Sequence, residues 1–311
     1  MENAASPEAP TRVLVTSAIG NVGREVVRAV LALGKCTVRA AGPSADAIRE
    51  MHGLGIDAVD LDFEEHGTFL PAAKDCAELF LVRPRGVASM ESTLLPFIDV
   101  AIGSGVKHIV FLSCPCAPAN ALIPHRAVEK HLEQQTTTYT LLRPGFFAQN
   151  LGAAYRKDIA EEGRIFLPAG RGRVAFVDIR DIAELAALVL ADPAAHRNAA
   201  YDCTGPEALS FEEAARLLAD VIRRPIRYEA ASIAAYVRHL HQRGLPLAQI
   251  AVQTALHVGL RFGQTDEIDP TLERLLGRRP RTLAAYVREN AGLWAPPPWP
   301  VEVTDSVVAG A

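Results

Sequence analysis

Residues 12–33 read RVLVTSAIGNVGREVVRAVLAL, in which a β-branched run meets a glycine-containing turn and then an amphipathic stretch. The run Arg12–Thr16 has the composition of a buried strand. From Asn21 to Leu33 the apolar residues recur at helical spacing, and Gly34 follows where a helix C-cap is expected. The stretch therefore predicts a strand, a tight turn and a helix that lies on a sheet.

The same alternation of short apolar runs and helical spacing continues through the first 145 residues. The runs predict further strands at Thr37–Ala41, Ala58–Leu61, Leu79–Val82, His108–Leu112 and Thr138–Leu142. Repeated strand–helix units favour a parallel sheet with helices on both faces. We predict an α/β fold, namely a Rossmann-type doubly wound parallel sheet with a smaller, mostly helical C-terminal cap.

The turn at residues 16–23 has the position of a phosphate-binding loop, between the first strand and the first helix. Backbone N–H groups and a helix N-terminus at this position bind a pyrophosphate. Gly20 suits close backbone approach, and Gly23 suits tight packing of helix on strand. The alternative is a turn that merely joins strand to helix, but the flanking elements favour a dinucleotide site.

The pattern changes after Phe146 and defines a second part of the chain. Residues 151–162 predict a helix, Val174–Val177 a strand and residues 178–190 a helix. Ser210 and Glu213 have the spacing of a capping box, and the chain after residue 227 is predicted to be mostly helical. We assign residues 11–150 to a dinucleotide-binding core and 151–295 to a substrate-binding cap with segments that return to the core. Residues 1–10 and 296–311 are predicted to be flexible tails.

Composition excludes several classes of protein. A chain of 311 residues with net charge −4 offers no basic face for nucleic acid. No secretory signal opens the sequence, and no apolar run approaches the ~20 residues that cross a bilayer. The five cysteines lack paired spacing, which indicates reduced thiols. We expect a cytoplasmic protein with a small-molecule substrate and neither nucleic-acid nor membrane partners; a homodimer is compatible with the sequence.

Several ordered blocks of sequence resemble the NmrA-like branch of the atypical short-chain dehydrogenases/reductases. The blocks lie at residues 16–23, 38–39, 60–61, 110–113, 127–129, 139–147 with Asn150, 177–183 and 204–210, so the resemblance covers about residues 11–295. That branch includes nucleotide sensors, quinone reductases and natural-product reductases. The resemblance implies NADP or NAD as cofactor.

The resemblance, together with positions at the carboxyl ends of strands, predicts the residues of the nucleotide site. They are Ser17, Ile19, Gly20, Asn21, Val22, Arg39, Asp60, Leu61, Val82, Arg83, Pro84, Ser113, Pro144 and Phe146. The chain departs from the family pattern at Ser17, where a glycine is usual and a Cβ strains the tight turn. It also departs at Ile19, where threonine is frequent, and at Pro43, which replaces an arginine of NADP-preferring members. NADP is therefore not favoured over NAD.

The usual pair of a catalytic tyrosine and a lysine four residues later is absent. The lysine position falls on His125, and the position four residues earlier is Ala121. His125 is predicted as the acid–base group because imidazole titrates near neutral pH; the alternative is a histidine bonded to solvent at a helix N-terminus. The resemblance implies that Ser113 donates a hydrogen bond to a substrate carbonyl.

Other side chains near the expected crevice are assigned to the substrate: Cys114, Phe147, Asn150 and Tyr155. Cys114 and Cys116 lie two residues apart, but two thiols lack the further ligands of a zinc site, so no metal is predicted.

Three functions are compatible with the sequence. The leading hypothesis is an NAD(P)-dependent oxidoreductase that reduces a small carbonyl, quinone or imine compound in specialised metabolism. The first alternative is a cofactor-independent isomerase, cyclase or lyase with His125 as its acid–base group. The second alternative is a non-catalytic NAD(P) sensor that regulates a protein partner.

Overall fold

The computed structural model describes residues 10–53, 55–84, 89–118, 120, 123–263 and 266–294. The predicted tails, apart from Pro10, lie outside these residues, as does Ala121.

The secondary structure follows the predicted alternation in its first half. The strands are β1 (Arg12–Val15), β2 (Thr37–Gly42), β3 (Asp57–Asp60), β4 (Glu78–Val82), β5 (His108–Leu112), β6 (Thr138–Pro144), β7 (Phe146–Phe147), β8 (Arg164–Leu167), β9 (Arg173–Val177), β10 (Ala199–Cys203), β11 (Ala208–Ser210) and β12 (Arg227–Ala230). The helices are α1 (Asn21–Leu33), α2 (Ala45–His52), α3 (Phe69–Ala73), α4 (Leu94–Gly103), α5 (Pro124–Glu133), α6 (Gln149–Gly152), α7 (Arg156–Glu162), α8 (Ile179–Ala191), α9 (Phe211–Ile222), α10 (Ile233–Gln242), α11 (Leu247–Gly259), α12 (Thr271–Leu276) and α13 (Leu283–Glu289).

The main sheet has seven strands in the order β10-β6-β5-β4-β1-β2-β3, and every pairing within it is parallel. The order reverses between β1 and β4, which is the switch point where ligands bind in open α/β sheets. The predicted fold class is therefore confirmed. The site is expected at the carboxyl ends of β1, β4, β5 and β6.

Apolar side chains on both faces of the sheet explain why the helices lie where they do. On one face, Val26, Val27 and Val30 of α1 are buried in the same cluster as α8 residues such as Ile182 and Ala186. On the other face, α3, α4 and α5 bury side chains that include Phe97. A third cluster joins α7, β8, α9 and the C-terminal helices. The third cluster supports the division into a core and a C-terminal part. However, α8 and β10 of the C-terminal part pack with the main sheet. The boundary between the two parts at residue 150 stays a prediction.

One predicted element is wrong in detail. Residues 151–162 form two short helices, α6 and α7, instead of one. The break arises because the Asn150 carbonyl accepts the N–H groups of both Ala153 and Tyr155, which ends the first helix. The helix predicted at residues 178–190 is present as α8, with Asp178 as its N-cap. Among the described residues, no helix is long and apolar enough to cross a membrane.

Candidate functional site

The turn after β1 is held by backbone bonds around Ser17. The Gly20 amide donates to the Ser17 carbonyl at 2.8 Å, and a Cβ on Gly23 would lie 2.2 Å from the same oxygen. Ser17 itself has φ 53°, a left-handed conformation that favours glycine. The expected strain at this position is therefore present in the structure.

The first turn of α1 suits an anion. Its N-cap, Gly20, offers no side-chain acceptor, and no carboxylate lies in the first turn of this fully described helix. By contrast, Ser210 caps α9, whose first turn also carries Glu212 and Glu213. A helix of 13 residues presents partial positive charge and free N–H groups at such an end. The predicted residues Gly20, Asn21 and Val22 lie here, with Ile19 half-buried just before them.

Replacement of Ser17 by glycine is expected to stabilise the protein by up to about 1 kcal/mol, because relief of the left-handed strain exceeds the entropy gained by the unfolded chain. Urea unfolding measures the effect. Ser17→Ala is the matched control, since it keeps the Cβ and therefore the strain. Equal stability of the two variants would contradict the assigned strain.

Glu129, on α5, bonds to residues at the carboxyl ends of β5 and β6. Its carboxylate is fully buried and accepts from the Ser113 hydroxyl at 2.6 Å and from two nitrogens of Arg143 at 2.9 and 3.0 Å. Arg126 adds a third donor group at 3.2 Å. Burial raises the pKa of Glu129, but the hydrogen bonds from Arg143 and Ser113 outweigh it, so the pKa lies below its usual value.

The Ser113 hydroxyl therefore has a different partner from the one predicted. Its proton points to Glu129 and not to a substrate carbonyl, which leaves its lone pairs as acceptors. Ser113 is also buried, at 5% exposure. Its contact with cofactor or substrate stays a prediction.

His125 lies on the first turn of α5, close to Arg83 at the end of β4. Burial, and secondly the charge of Arg83, lower the pKa of His125 to about 4. Its Nδ1 atom is buried and has no hydrogen-bond partner among the described residues, and its ring packs 6.0 Å from that of Phe111. The imidazole is thus neutral at physiological pH, and the role of His125 as the acid–base group stays a prediction.

An acidic side chain lies at the end of β3, where the adenosine part of the nucleotide is expected to bind. Asp60, at the end of β3, accepts the backbone N–H of Ala45 at 2.7 Å and so occupies the start of α2. Leu61 is buried behind it and donates its N–H to the Gly42 carbonyl. Pro43 precedes the helix, and Ser44 caps it.

Arg39 does not reach this position. Its guanidinium donates to Asp57 at 2.9 Å and to the Lys74 carbonyl at 2.6 Å. Asp57 is its register partner and the first residue of β3, so the pair lies towards the amino-terminal part of the sheet. We therefore correct the assignment of Arg39 to the nucleotide site. Its donors bind Asp57 and the Lys74 carbonyl instead of a 2′-phosphate, so its role is structural.

The predicted substrate residues separate into two groups. Tyr155 stacks on Phe146, which was assigned to the nucleotide site, with ring centroids 6.3 Å apart, but Tyr155 is buried and its hydroxyl bonds to His257. Phe147, Asn150 and Cys114 are half-buried and more accessible. Val82, Arg83 and Pro84 are half-buried at the end of β4, and Pro144 is buried at the end of β6. Tyr155 thus belongs to the packed core of the C-terminal part.

Three residues that shape the site were not among those predicted from the sequence. Thr16 ties β1 to β4, since its hydroxyl donates to the Phe80 carbonyl and accepts from the Val82 N–H. Arg143 donates to the buried carboxylate of Glu129. His257 bonds to the buried hydroxyl of Tyr155. Thr16 and Arg143 lie in the family-like blocks at residues 16–23 and 139–147, which are the signal for them, whereas His257 lies in no such block. No group of three or more metal-ligating side chains occurs among the described residues.

The strand order, the switch point and the uncapped α1 define a Rossmann-type dinucleotide-binding protein. The chain belongs to the NmrA-like family, whose sequence model matches residues 10–286.

Several of the similar proteins are named as reductases or dehydrogenases. An NAD(P)H azoreductase of Xenophilus azovorans is 30% identical over 90% of this chain and 98% of its own length. Agroclavine dehydrogenase of Claviceps fusiformis is 30% identical over 70% of this chain and 75% of its own. The structure of an NADPH-dependent quinone oxidoreductase from Escherichia coli, complexed with NADPH, superposes with TM-score 0.80 at 25% identity, over 89% of this chain and 99% of that one.

Proposed function

We propose that this protein is an NAD(P)-dependent reductase of a small carbonyl, quinone or imine compound. The observation that carries the proposal is the uncapped N-terminus of α1 behind a glycine turn, at the switch point of a parallel sheet. By their names, the quinone oxidoreductase among the similar proteins acts on a quinone, and the azoreductase acts on an azo compound, whose N=N bond accepts hydride as an imine does. The same comparisons support specialised metabolism as the setting, since agroclavine dehydrogenase is a relative.

The residues of the turn fit a pyrophosphate. A Cβ on Gly20 would lie 3.1 Å from the Ser17 carbonyl, and one on Gly23 would lie closer still, so the tight packing of the turn requires glycine at both positions. The exposed N–H groups of α1 then bind the anion. When bound, the nucleotide supplies the hydride.

The protein contributes orientation at the other end of the site. A neutral His125 carries one ring N–H, which can hold a substrate oxygen. Its Nδ1 has no hydrogen-bond partner within the described part of the chain and can therefore bond to a polar group of a ligand. Glu129 fixes Ser113 at the end of β5, where its hydroxyl oxygen can accept a hydrogen bond. In this scheme the proton delivered to the reduced substrate comes from solvent.

The function is tested by following NADH and NADPH oxidation with a panel of quinones, azo dyes and imines. His125→Phe keeps the ring packing against Phe111 and should lower kcat/KM by about 10- to 100-fold without weakening nucleotide binding. His131→Phe is the matched control on the same helix, because His131 is a half-buried histidine that bonds to Asp99 and was not assigned to the site. Because the pKa of His125 is about 4, the activity should show no inflection from this residue near pH 6.5.

Other outcomes of that experiment favour the alternatives. Nucleotide binding without turnover on any acceptor would favour the sensor. Turnover of a substrate after exhaustive removal of nucleotide would favour the isomerase, cyclase or lyase. Either result overturns the proposed reductase.

We further propose that the site prefers NADH over NADPH. The carboxylate of Asp60 lies on the first amide of α2, where a 2′-phosphate would require positive charge. Pro43 supplies no cation there, and the donors of Arg39 face Asp57 and the Lys74 carbonyl. A coenzyme without the 2′-phosphate avoids this repulsion.

Pro43→Arg combined with Asp60→Asn is expected to shift the ratio of the two dissociation constants towards NADPH by about 10-fold, or about 1.4 kcal/mol. Fluorescence titration of both nucleotides measures the ratio. Pro43→Arg combined with Asp62→Asn is the control, because Asp62 is an exposed carboxylate that contacts Glu64 and not α2. Tighter binding of NADPH than NADH by the unmodified protein would contradict the proposal.

The free thiols and the charge support the remaining assignments. All five cysteines lie within the described residues and none forms a disulfide, which fits the reducing cytoplasm. A net charge of −4 fits a small-molecule enzyme and not a nucleic-acid-binding protein.

A further inference from the structure

Two thiols meet at the carboxyl end of β5, immediately after Ser113. The Sγ atoms of Cys114 and Cys116 are 3.2 Å apart and share a hydrogen bond. The intervening Pro115 is the second residue of a turn in which the Ala117 N–H donates to the Cys114 carbonyl at 3.2 Å. Proline favours this position of a turn, and the turn brings the two thiols together.

The environment of the pair differs from that of the other cysteines. The hydrogen bond from Cys114 lowers the pKa of the Cys116 thiol to about 7, and the same contact raises the pKa of Cys114. Burial raises the pKa values of Cys36, Cys76 and Cys203. Cys114 and Cys116 are also half-buried, whereas Cys76 and Cys203 are buried. Cys116 therefore combines a lowered thiol pKa with partial solvent exposure, the two properties that make a cysteine reactive.

We propose that Cys114 and Cys116 form a modification site that reacts with small-molecule disulfides and closes into an intramolecular disulfide. In the first step the Cys116 thiolate attacks one sulfur of the external disulfide, and a small thiolate leaves. In the second step Cys114 loses its proton to solvent and attacks the Cys116 sulfur, which releases the second small thiol. The protein pair gives up two electrons, and the external disulfide gains them.

The geometry requires little movement for the second step. A disulfide has an S–S length of about 2.05 Å, so the two sulfur atoms need to approach by about 1 Å. The turn keeps both residues at one edge of the crevice, beside Ser113. This reactivity goes beyond the proposed reductase function and needs no nucleotide.

The test uses the full-length protein and the disulfide of mercaptoethanol, without nucleotide, followed by alkylation and intact-mass and peptide analysis. The unmodified protein should lose two hydrogen atoms and show a Cys114–Cys116 link. Cys114→Ser should stop at a mixed disulfide on residue 116, because the attacking thiol of the second step is gone. Cys116→Ser should lack both products, and Cys36→Ser should behave like the unmodified protein.

Two results would overturn the proposal. One is an unmodified protein in which residues 114 and 116 remain alkylatable after treatment with excess disulfide. The other is a Cys116→Ser variant that forms mixed disulfides as fast as the unmodified protein. Because the readout is mass and linkage, failure of the reductase proposal leaves this test intact.

Discussion

Replacement of Glu129 by glutamine is expected to lower the free energy of unfolding by about 3 kcal/mol. The carboxylate is fully buried and accepts from Ser113, Arg126 and Arg143. An amide of the same shape turns an N–H₂ group towards the donors of Arg143 and leaves this half-buried cation without its counter-charge. Urea unfolding near neutral pH measures the loss.

The control for this substitution is available on the same helix. Glu133 also pairs with Arg126, at 2.8 Å, but its side chain is 38% exposed. Because solvent screens exposed pairs, Glu133→Gln should cost less than about 1 kcal/mol. Equal losses in the two variants would contradict the role of Glu129 as the buried centre of the cluster. A sharp loss in Glu129→Gln would show that the end of β5 depends on this charge.

The second large expected effect is a loss of folding stability at acid pH. Burial lowers the pKa values of His108, His125 and His257 to about 4 each. Because the unfolded chain binds protons at about pH 6.5, the folded state loses stability as the pH falls from about 6.5 to about 4. Each histidine then costs about 2 kcal/mol at pH 5 relative to pH 7.

Glu78 acts in the opposite direction. Burial raises its pKa to about 8, so the folded state holds a proton that the unfolded chain releases at neutral pH. Its contribution is largest in acid and is lost as the pH rises towards 8, so acidification from pH 7 to pH 5 raises the stability by about 2.5 kcal/mol. The net expectation is a loss of about 3 kcal/mol over this range.

Urea unfolding at the two pH values measures this loss, and two variants separate its sources. Glu78→Gln removes the opposing contribution and should increase the loss to about 6 kcal/mol. His257→Phe removes one histidine and should reduce the loss by about 2 kcal/mol, whatever its effect at neutral pH. An unmodified protein that is as stable at pH 5 as at pH 7 would contradict the assignment of these groups.

The sequence predicted the first half of the fold closely because its strands are apolar on both faces. The bounds of β5, His108–Leu112, agree with the prediction, and all five residues are buried. The strands β7, β11 and β12 were missed because they are two to four residues long and carry no clear period. β12 reads RYEA, a polar segment that only its pairing with β8 makes a strand.

The candidate site was predictable where it depends on local conformation. The substitution of serine for a loop glycine predicted strain, and Ser17 has a positive φ. Contacts across the sheet were not predictable, because they depend on register: Arg39 meets Asp57 only through the pairing of β2 with β3. Likewise, burial and not residue type keeps His125 neutral.

The most direct test of a nucleotide site at the N-terminus of α1 is calorimetric titration of the protein with NADH, beside the variants Gly23→Ala and Gly103→Ala. A Cβ on Gly23 would lie 2.2 Å from the Ser17 carbonyl, whereas one on Gly103 would meet no atom of the described residues within 4 Å. We predict saturable binding by the unmodified protein and by Gly103→Ala, and affinity weaker by at least about 100-fold in Gly23→Ala, a change of about 2.7 kcal/mol. No binding at about 1 mM NADH, or equal binding by all three proteins, would contradict a nucleotide site at this helix end.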